Sequence, residues 1–150
     1  MEITTIPSPI LNRKLSDVSL ERVKSGELND LIEEMKKTMA ANEGIGLAAN
    51  QIGQDLSIFV IDPKLAEDGG IPEVFINPEI TEYSKDLDEL EEGCLSIPKF
   101  FVPVKRPKKI KIKALDQNGN KIKFKVRGFL ARVLQHETDH LNGLTIKDRI

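Results

Sequence analysis

The chain has 150 residues, of which 39% are hydrophobic and 31% charged, and this size and composition are those of one ordinary globular domain. Its formal net charge of −2 excludes the strong positive field of a general nucleic-acid-binding protein, and its single cysteine excludes an intramolecular disulfide. No leader pattern and no membrane-spanning apolar stretch is visible, so we expect a cytoplasmic protein.

The first predicted element is an amphipathic helix from Ser25 to about Asn42, with Ser25 as its N-cap. Its apolar residues recur at helical spacing, at Leu28, Leu31, Ile32, Met35 and Met39. Such a stripe predicts packing on a core rather than binding of a partner. The glycines at 44, 46 and 53 then predict a loop or an irregular strand.

Two short buried strands are predicted next, over residues 56–61 and 74–76. Asp68-Gly69-Gly70 predicts a turn between them, and Asn77-Pro78 is predicted to close the second strand. The acidic segment 86–92 is interpreted as a solvated edge next to the site.

The clearest β-hairpin follows, because apolar residues alternate with lysines over 110–114 and 122–126 around a turn at Asn118-Gly119. An almost continuously apolar helix then begins at Gly128 and ends at Asn142-Gly143. Since this order of elements lacks regular βαβ alternation, we predict an α+β fold. Mostly antiparallel sheets would pack around this central helix.

That helix carries both histidines of the chain, His136 and His140, four residues apart. On a helix this spacing puts both imidazoles on one face, so both can bind one metal ion while Glu137 lies beside a metal-bound water. The pattern is typical of a hydrolytic metal site.

A catalytic metal also needs a third protein ligand and an open position. No third histidine exists, and the carboxylates are too numerous to choose among. Cys94 is unique and lies in a glycine-flanked turn, Glu92-Gly93-Cys94-Leu95-Ser96. Alone, such a cysteine would more often be a small buried hydrophobic residue, but beside an incomplete two-histidine site we favour ligation.

Three segments combine these residues with a glycine-rich stretch. They are Gly44-Ile45-Gly46-Leu47-Ala48-Ala49-Asn50-Gln51, then Glu92-Gly93-Cys94-Leu95-Ser96, then Gln135-His136-Glu137-Thr138-Asp139-His140-Leu141-Asn142-Gly143. In order and spacing they resemble the signature motifs of the peptide deformylase family, and the opening Pro9-Ile10-Leu11 is also similar to that family. The resemblance covers nearly the whole chain, residues 1–150, as one domain. It implies a metal-dependent hydrolase that removes the N-formyl group from the amino-terminal formylmethionine of nascent polypeptides and releases formate.

The resemblance also implies a metal centre. Cys94, His136 and His140 would hold one divalent ion, Fe2+ in the cell, although these ligands would accept Zn2+, Ni2+ or Co2+ too. Asp139, inside the metal helix, would be paired with Arg106.

Catalytic and substrate-binding roles are implied in the same way. Glu137 would take the proton of the attacking water and pass it to the departing amine, while the Gln51 side-chain amide and the Leu95 backbone N–H would stabilise the developing oxyanion. The implied substrate-binding residues are Ile45, Gly46, Gly93, Phe129 and Val133.

The chain departs from the family in two places. Many members carry an arginine shortly after the cysteine motif that helps to hold the substrate backbone, but Phe100-Phe101 lie there in this chain. Many members also continue into a long terminal helix that docks on the ribosome, whereas this chain stops at Ile150, so we expect no docking by that route. Short deformylases also occur on phage genomes, so a bacterial or a viral origin fits.

The lysines of the hairpin region are predicted to form the solvated face of a half-buried hairpin. Contact with ribosomal RNA is the alternative interpretation. These lysines are at positions 108, 109, 111, 113, 121, 123 and 125. We expect a monomer that binds formylmethionine peptides and neither membranes nor specific DNA.

Two rival function classes use the same residues. A metallopeptidase that cuts internal peptide bonds would need a wider cleft and usually a third His or Glu ligand downstream, where few residues follow Gly143. A non-catalytic binding module is disfavoured, because Glu137, Gln51 and the three ligands are all present.

Overall fold

The computed structural model describes all 150 residues. The four α-helices are α1 (Leu20–Ser25), α2 (Asn29–Ala41), α3 (Pro63–Gly69) and α4 (Gly128–Leu141). The seven strands are β1 (Gly46–Ala48), β2 (Ile58–Ile61), β3 (Val74–Tyr83), β4 (Leu87–Cys94), β5 (Ile97–Pro107), β6 (Lys109–Leu115) and β7 (Lys121–Arg127). Short 3-10 helices lie at Pro9–Asn12, Ala49–Ile52 and Ile146–Arg149.

The strands form two sheets against which α4 packs. One sheet has five strands in the order β1-β2-β3-β6-β7, and the other consists of β4 and β5. Every pairing is antiparallel, so the predicted α+β fold is confirmed. The main core is a cluster of 26 buried hydrophobic residues, and α4 contributes Ala131, Val133, Leu134 and Leu141 to it. None of the helices has the length and apolar character needed to cross a membrane.

The predicted first helix is α2, and the shorter helix α1 that precedes it was not predicted. Gly26 ends α1 in the left-handed conformation (φ 79°), and α2 begins only at Asn29. Ser25 is therefore the last residue of α1 and not the N-cap of α2, so that prediction was wrong. The real cap in this region is the side chain of Ser19, which accepts a hydrogen bond from the backbone N–H of Arg22.

The second strand continues beyond its predicted end. Asn77 adopts φ 51° and shifts the pairing register between Ile76 and Glu79, which makes a bulge rather than a stop. Its side chain is held by the backbone N–H and carbonyl of Val18, at 2.8 and 2.7 Å. The predicted turn at Asp68-Gly69-Gly70 is the end of the undetected helix α3.

The acidic segment 86–92 is a strand that ends in the site, so its description as a solvated edge was wrong for Glu92. Four of the eight residues of β4 are exposed, but Glu92 is only 8% exposed. By contrast, the predicted β6–β7 hairpin and the predicted helix α4 are both confirmed. Gly143 follows α4 with φ 79°, and a Cβ there would lie 2.6 Å from the backbone nitrogen of Arg13.

Candidate metal centre and active site

Cys94, His136 and His140 converge at the contact between α4 and the β4–β5 hairpin. Their three candidate ligand atoms lie within 4.8 Å of one another, and Cys94 Sγ is 3.3 Å from His140 Nε2. The two histidines come one helical turn apart on α4, and Cys94 closes β4 where the hairpin turns back at Leu95 and Ser96. The sequence-predicted ligand set is thus brought together.

Glu92 fixes the orientation of His136. Its Oε1 lies 2.9 Å from His136 Nδ1, so the imidazole donates through Nδ1 and keeps Nε2 for a ligand. Arg106 binds the same carboxylate through Nε and Nη2, at 2.6 and 3.0 Å, and Arg132 Nη1 binds it as well. Burial favours the neutral acid, but the hydrogen bonds from His136 and Arg106 outweigh it and lower the pKa of Glu92 to about 2. Glu92 is therefore a carboxylate at neutral pH.

Arg106 also reaches Asp139, as the predicted pair requires. Its Nη1 donates to Asp139 Oδ2 at 2.9 Å, and Arg106 is only 3% exposed. Arg149, in the last 3-10 helix, grips the same carboxylate with Nε and Nη2 at 3.0 and 2.7 Å. A continuous chain of ion pairs thus connects the carboxy-terminal segment to Glu92 and, through it, to His136.

The two histidines differ in their electrostatic surroundings. Burial lowers the pKa of His136, but its contacts with Cys94 and Glu92 raise it to about 10. Burial and the neighbouring charge of His136 hold the pKa of His140 well below its usual value. A pocket that draws a proton onto His136 equally favours a metal cation in that place. His140 Nδ1 is buried without a hydrogen-bond partner.

Glu137 is buried beside the candidate metal ligands, and one of its carboxylate oxygens is unpaired. Its Oε1 has no hydrogen-bond partner, and burial raises the pKa of Glu137 to about 7. Gly46 on β1 makes room for it, because a Cβ at this position would lie 2.5 Å from Glu137 Oε2. An acid with a pKa near 7 is well suited to accept and return a proton at neutral pH.

The Gln51 side chain lies next to Cys94. Its Oε1 accepts from the Ala48 N–H at 2.9 Å, and its Nε2 donates to Ser96 Oγ at 3.1 Å and lies 3.6 Å from Cys94 Sγ. The Leu95 N–H, in the adjacent turn, makes no hydrogen bond within the protein. These two donor groups therefore flank the thiol.

The amino-terminal segment is hydrogen-bonded to the backbone of Gln51 and Ser96. The N–H of Thr4 donates to the Gln51 carbonyl at 2.6 Å, and that of Ile6 donates to the Ser96 carbonyl at 3.0 Å. Asn50 joins the same region to α4 by donating to the His140 carbonyl at 2.7 Å. The three sequence motifs are thus hydrogen-bonded into one unit.

An open cavity of about 510 Å³ lies over these groups. The five predicted substrate-binding residues all line it, namely Ile45, Gly46, Gly93, Phe129 and Val133. Val133 is 3% exposed, whereas Ile45 and Phe129 are about half exposed at the rim. A second cavity of about 420 Å³, by the ends of β3, β6 and β7, contains none of the ligands.

Sequence reasoning missed Arg132 and the central position of Glu92. Arg132 was passed over in a helix interpreted as apolar, yet it is 5% exposed and also donates to the carbonyls of Val104 and Asp88 at 2.9 and 2.8 Å. One signal was present, since Arg132 lies four residues before His136 and therefore on the same helix face. A cation at that place requires a buried anion, which is Glu92.

Comparison with known proteins gives one consistent result. The family model described as "Polypeptide deformylase" matches residues 1–150. A curated protein of Clostridium perfringens, "Peptide deformylase 1", is 48% identical over 146 residues, which cover 93% of this chain and 97% of that protein.

Solved structures agree. The crystal structure of the peptide deformylase of Thermotoga maritima has a TM-score of 0.90 and 40% identity, and the match covers 99% of this chain and 96% of that one. A class I type b peptide deformylase of Acinetobacter baumannii, solved with Met-Ala-Ser bound, has a TM-score of 0.90 and 33% identity, with coverage of 100% and 98%.

Proposed function

The chain belongs to the polypeptide deformylase family, and we propose that it removes the N-formyl group of amino-terminal formylmethionine with a metal ion held by Cys94, His136 and His140. The family is one of metal-dependent hydrolases. The observation that carries the proposal is the convergence of one thiol and two imidazoles beside a buried carboxylate, Glu137, that has a free oxygen.

The donor set fits a tetrahedral divalent metal. Bond lengths of about 2.3 Å to sulfur and about 2.05 Å to nitrogen place the two ligand atoms about 3.6 Å apart in a tetrahedron. The separation between Cys94 Sγ and His140 Nε2 is 3.3 Å, close to that value. The Glu92 contact leaves His136 Nε2 as the second nitrogen ligand.

Fe2+ is the proposed metal in the cell, and Zn2+, Ni2+ or Co2+ would fit the same ligands. A thiolate with two imidazoles is a soft to intermediate set that binds all four. Anaerobic purification followed by elemental analysis tests the choice. One equivalent of iron that is lost in air, together with activity, supports Fe2+, whereas stoichiometric zinc from an anaerobic preparation contradicts it.

Glu137 carries the proton in this proposal. When bound, the metal supplies Lewis acidity, which makes water a stronger acid and the formyl carbonyl a better electrophile. Glu137 takes the proton from the attacking water and returns it to the amine that leaves with the methionine. Its pKa of about 7 suits both transfers, because the group can hold or release a proton near neutral pH.

The developing negative charge on the formyl oxygen needs donors that are already oriented. The Gln51 amide is fixed through Ala48, and the Leu95 N–H has no competing acceptor within the protein. We assign both to this role. Removal of one such donor costs typically about 2.7–4 kcal/mol in the barrier, so Gln51→Ala is expected to slow turnover about 10²–10³-fold.

The peptide is proposed to bind in an extended form along β1. This strand lies at the edge of its sheet, so its outer side is free to pair with another chain. Ile45 and Gly46 would meet the substrate backbone on one side and Gly93 on the other. The methionine side chain would enter the cavity between Phe129 and Val133, where apolar surface is available.

The proposal places the enzyme in the cytoplasm. It also makes the enzyme a monomer, since all three proposed ligands come from one chain. Its substrate would be the formylmethionine end of nascent polypeptides. A relative binds Met-Ala-Ser, which is what removal of the formyl group from formyl-Met-Ala-Ser leaves. Gel filtration tests the oligomeric state.

Ribosomal RNA is a second proposed partner, through the lysine face of β6 and β7. Segment 109–127 has seven of the 22 basic residues and only one of the 24 acidic residues. Cross-strand register puts Lys111 opposite Lys125 and Lys113 opposite Lys123. Glu82 and Glu79 of β3 pair with Lys111 and Lys113, at 4.0 and 3.4 Å, whereas Lys123 and Lys125 form no ion pair. Repeated phosphates would supply anions for these two lysines of β7.

A salt-dependent ribosome pull-down tests the RNA contact. The double variant Lys123→Glu, Lys125→Glu is expected to lose binding, whereas the exposed control pair Lys14→Glu, Lys37→Glu keeps it. If both double variants bound ribosomes equally well, the lysines of β6 and β7 would be a solvated face without an RNA contact.

Formate release from formyl-Met-Ala-Ser tests the main proposal. The parent is expected to release formate, Glu137→Ala to lose turnover while retaining metal, and Cys94→Ser to lose or change its metal. Glu34→Ala, an exposed carboxylate on α2, is the matched control and should behave like the parent. Cleavage at an internal bond would indicate a metallopeptidase instead, and inertness with metal bound would indicate a binding module.

A further inference from the structure

Two consecutive phenylalanines on β5 lie in opposite surroundings. Phe100 is partly buried and packs on the small cluster of Ile97, Val104 and Ile146, with Lys147 Nζ 5.2 Å from its ring centroid. Phe101 is 66% exposed and lines the cavity over the metal ligands. An aromatic side chain this exposed contributes little to a core, and it becomes informative when other exposed apolar residues gather around it.

Phe101 lies against the backbone of the strand that carries the cysteine. Gly93 is its direct partner in the β4–β5 register, and a Cβ built on Gly93 would lie 2.7 Å from the Phe101 Cδ1 atom. Only glycine admits the ring at this distance. One side of the ring thus lies over the residue before Cys94, and much of the remaining ring surface is open.

Two further exposed apolar residues lie at the cavity rim, among charged ones such as Glu43 and Lys99. The protein has nine exposed large hydrophobic residues, and three of them, Ile45, Phe101 and Phe129, line this one cavity. Exposed apolar residues gathered at one opening are typical of a ligand-binding surface. Val133, which is buried, provides apolar surface deeper in the same cavity.

An extended peptide needs more than one apolar contact here. Successive side chains of an extended chain point to opposite sides, so only one can enter the deep part of the cavity while its neighbours lie at the rim. The methionine takes the deep position in the proposed function, and the residues behind it pass the rim.

We infer that Phe101 forms a subsite that selects a large apolar side chain at one of the two positions following the methionine. The inference rests on the proposed function of the same cavity. A polar side chain would give up water against the ring without gaining a hydrogen bond from the ring, whereas an aromatic or aliphatic one would bury apolar surface with it. The selection should appear mainly in KM, because the contact is remote from the reacting bond.

Five peptides test the subsite, namely formyl-Met-Ala-Ser, formyl-Met-Phe-Ser, formyl-Met-Gln-Ser, formyl-Met-Ala-Phe and formyl-Met-Ala-Gln. For the parent, the ratio of kcat/KM for Phe over Gln is expected to be about tenfold at one of the two positions. Phe101→Ala should reduce it to about twofold or less, and Phe101→Tyr should retain it. Phe100→Ala, the adjacent control, should keep the ratio and lower only the melting temperature.

The possible outcomes are distinct. Equal rates for Phe and Gln peptides in the parent, or an unchanged ratio in Phe101→Ala, overturn the subsite while leaving the deformylase proposal intact. A parent that cleaves none of the peptides overturns the proposed function and the subsite with it. Melting temperatures of both Phe101 variants verify that they fold.

Discussion

The two hairpins beside α4 share a topology but not a source of stability. In β6–β7 the inward residues are apolar, with Ile110 and Ile112 buried, and the outward residues are mostly lysines. In β4–β5 the inward set includes Glu92 and Arg106, a buried ion pair that continues to Asp139 on α4. Beyond their backbone hydrogen bonds, one hairpin is held by apolar burial and by surface ion pairs from Lys111 and Lys113 to β3, whereas the other is held by buried charges that orient the candidate metal ligand His136.

The comparison teaches that stability and chemistry are separable in this fold. Apolar burial is non-directional, so the β6–β7 hairpin fixes where α4 lies without orienting any atom of the site. Ion pairs are directional, so the β4–β5 hairpin fixes which nitrogen of His136 is free. Substitutions in the two hairpins should therefore have different consequences.

The largest effect is expected from Glu92→Gln. The change removes the anion between Arg106, Arg132 and His136, and leaving buried charges unpaired costs about 3–5 kcal/mol. Loss of the group that orients a ligating histidine lowers metal affinity about 10–100-fold. Metal titration and thermal unfolding measure the two effects, with the exposed Glu89→Gln on the same strand as control. If Glu92→Gln bound metal as tightly as the parent, the β4–β5 hairpin would have no special role in orienting His136.

Ile112→Ala in β6 should damage stability only. The side chain is 0% exposed, and truncation of a buried isoleucine costs about 2–5 kcal/mol. Chemical denaturation gives this cost, while kcat per folded, metal-loaded molecule should equal that of the parent. Ile112→Val, with a smaller cost of about 0.5–1.5 kcal/mol, keeps the test usable if the alanine variant is too unstable. A lower kcat in the valine variant would show that this hairpin also shapes the site.

The pH dependence of stability should reveal the role of Glu92 without any substitution at that position. Its pKa is about 2 in the folded protein and 4.5 in its ordinary state, so the unfolded chain takes up the proton first. The stabilisation is complete above pH of about 4.5 and is lost as the pH falls towards 2. Unfolding free energy measured across this window should fall more steeply for the parent than for Glu92→Gln. Parallel curves for the two proteins would contradict the assigned pKa.

The smallest effect is expected from Lys125→Glu in β7. The new carboxylate would lie opposite Lys111 and replace a like-charge pair with an opposite-charge pair, which contributes about 0.2–1 kcal/mol. The melting temperature of the variant should be slightly above that of the parent at low salt, and the two should become equal at high salt. Formate release should be unchanged, since the residue is remote from the ligands. A loss of stability would mean that Glu82, 4.0 Å from Lys111, already satisfies that lysine and is repelled by the new carboxylate.

The sequence determined the elements with a strong local signal. Alternation of isoleucine and lysine predicted β6 and β7, and apolar periodicity with glycines at both ends predicted α4. It also predicted the cluster of Cys94, His136 and His140, which the structure brings within 4.8 Å of one another. Gly26 and Asn77 misled the prediction, because a left-handed residue can separate two helices or make a bulge with the same local pattern.

Only the tertiary structure decided how the buried charges pair. Glu92 has acidic neighbours in an exposed-looking run, and Arg132 lies in an apolar helix, so neither sequence context shows that they meet. The same holds for Gly46, whose missing side chain makes room for Glu137 from another element. Local periodicity fixes which face of an element is apolar, whereas the partner of a buried charge comes from distant parts of the chain and is fixed only when the elements pack.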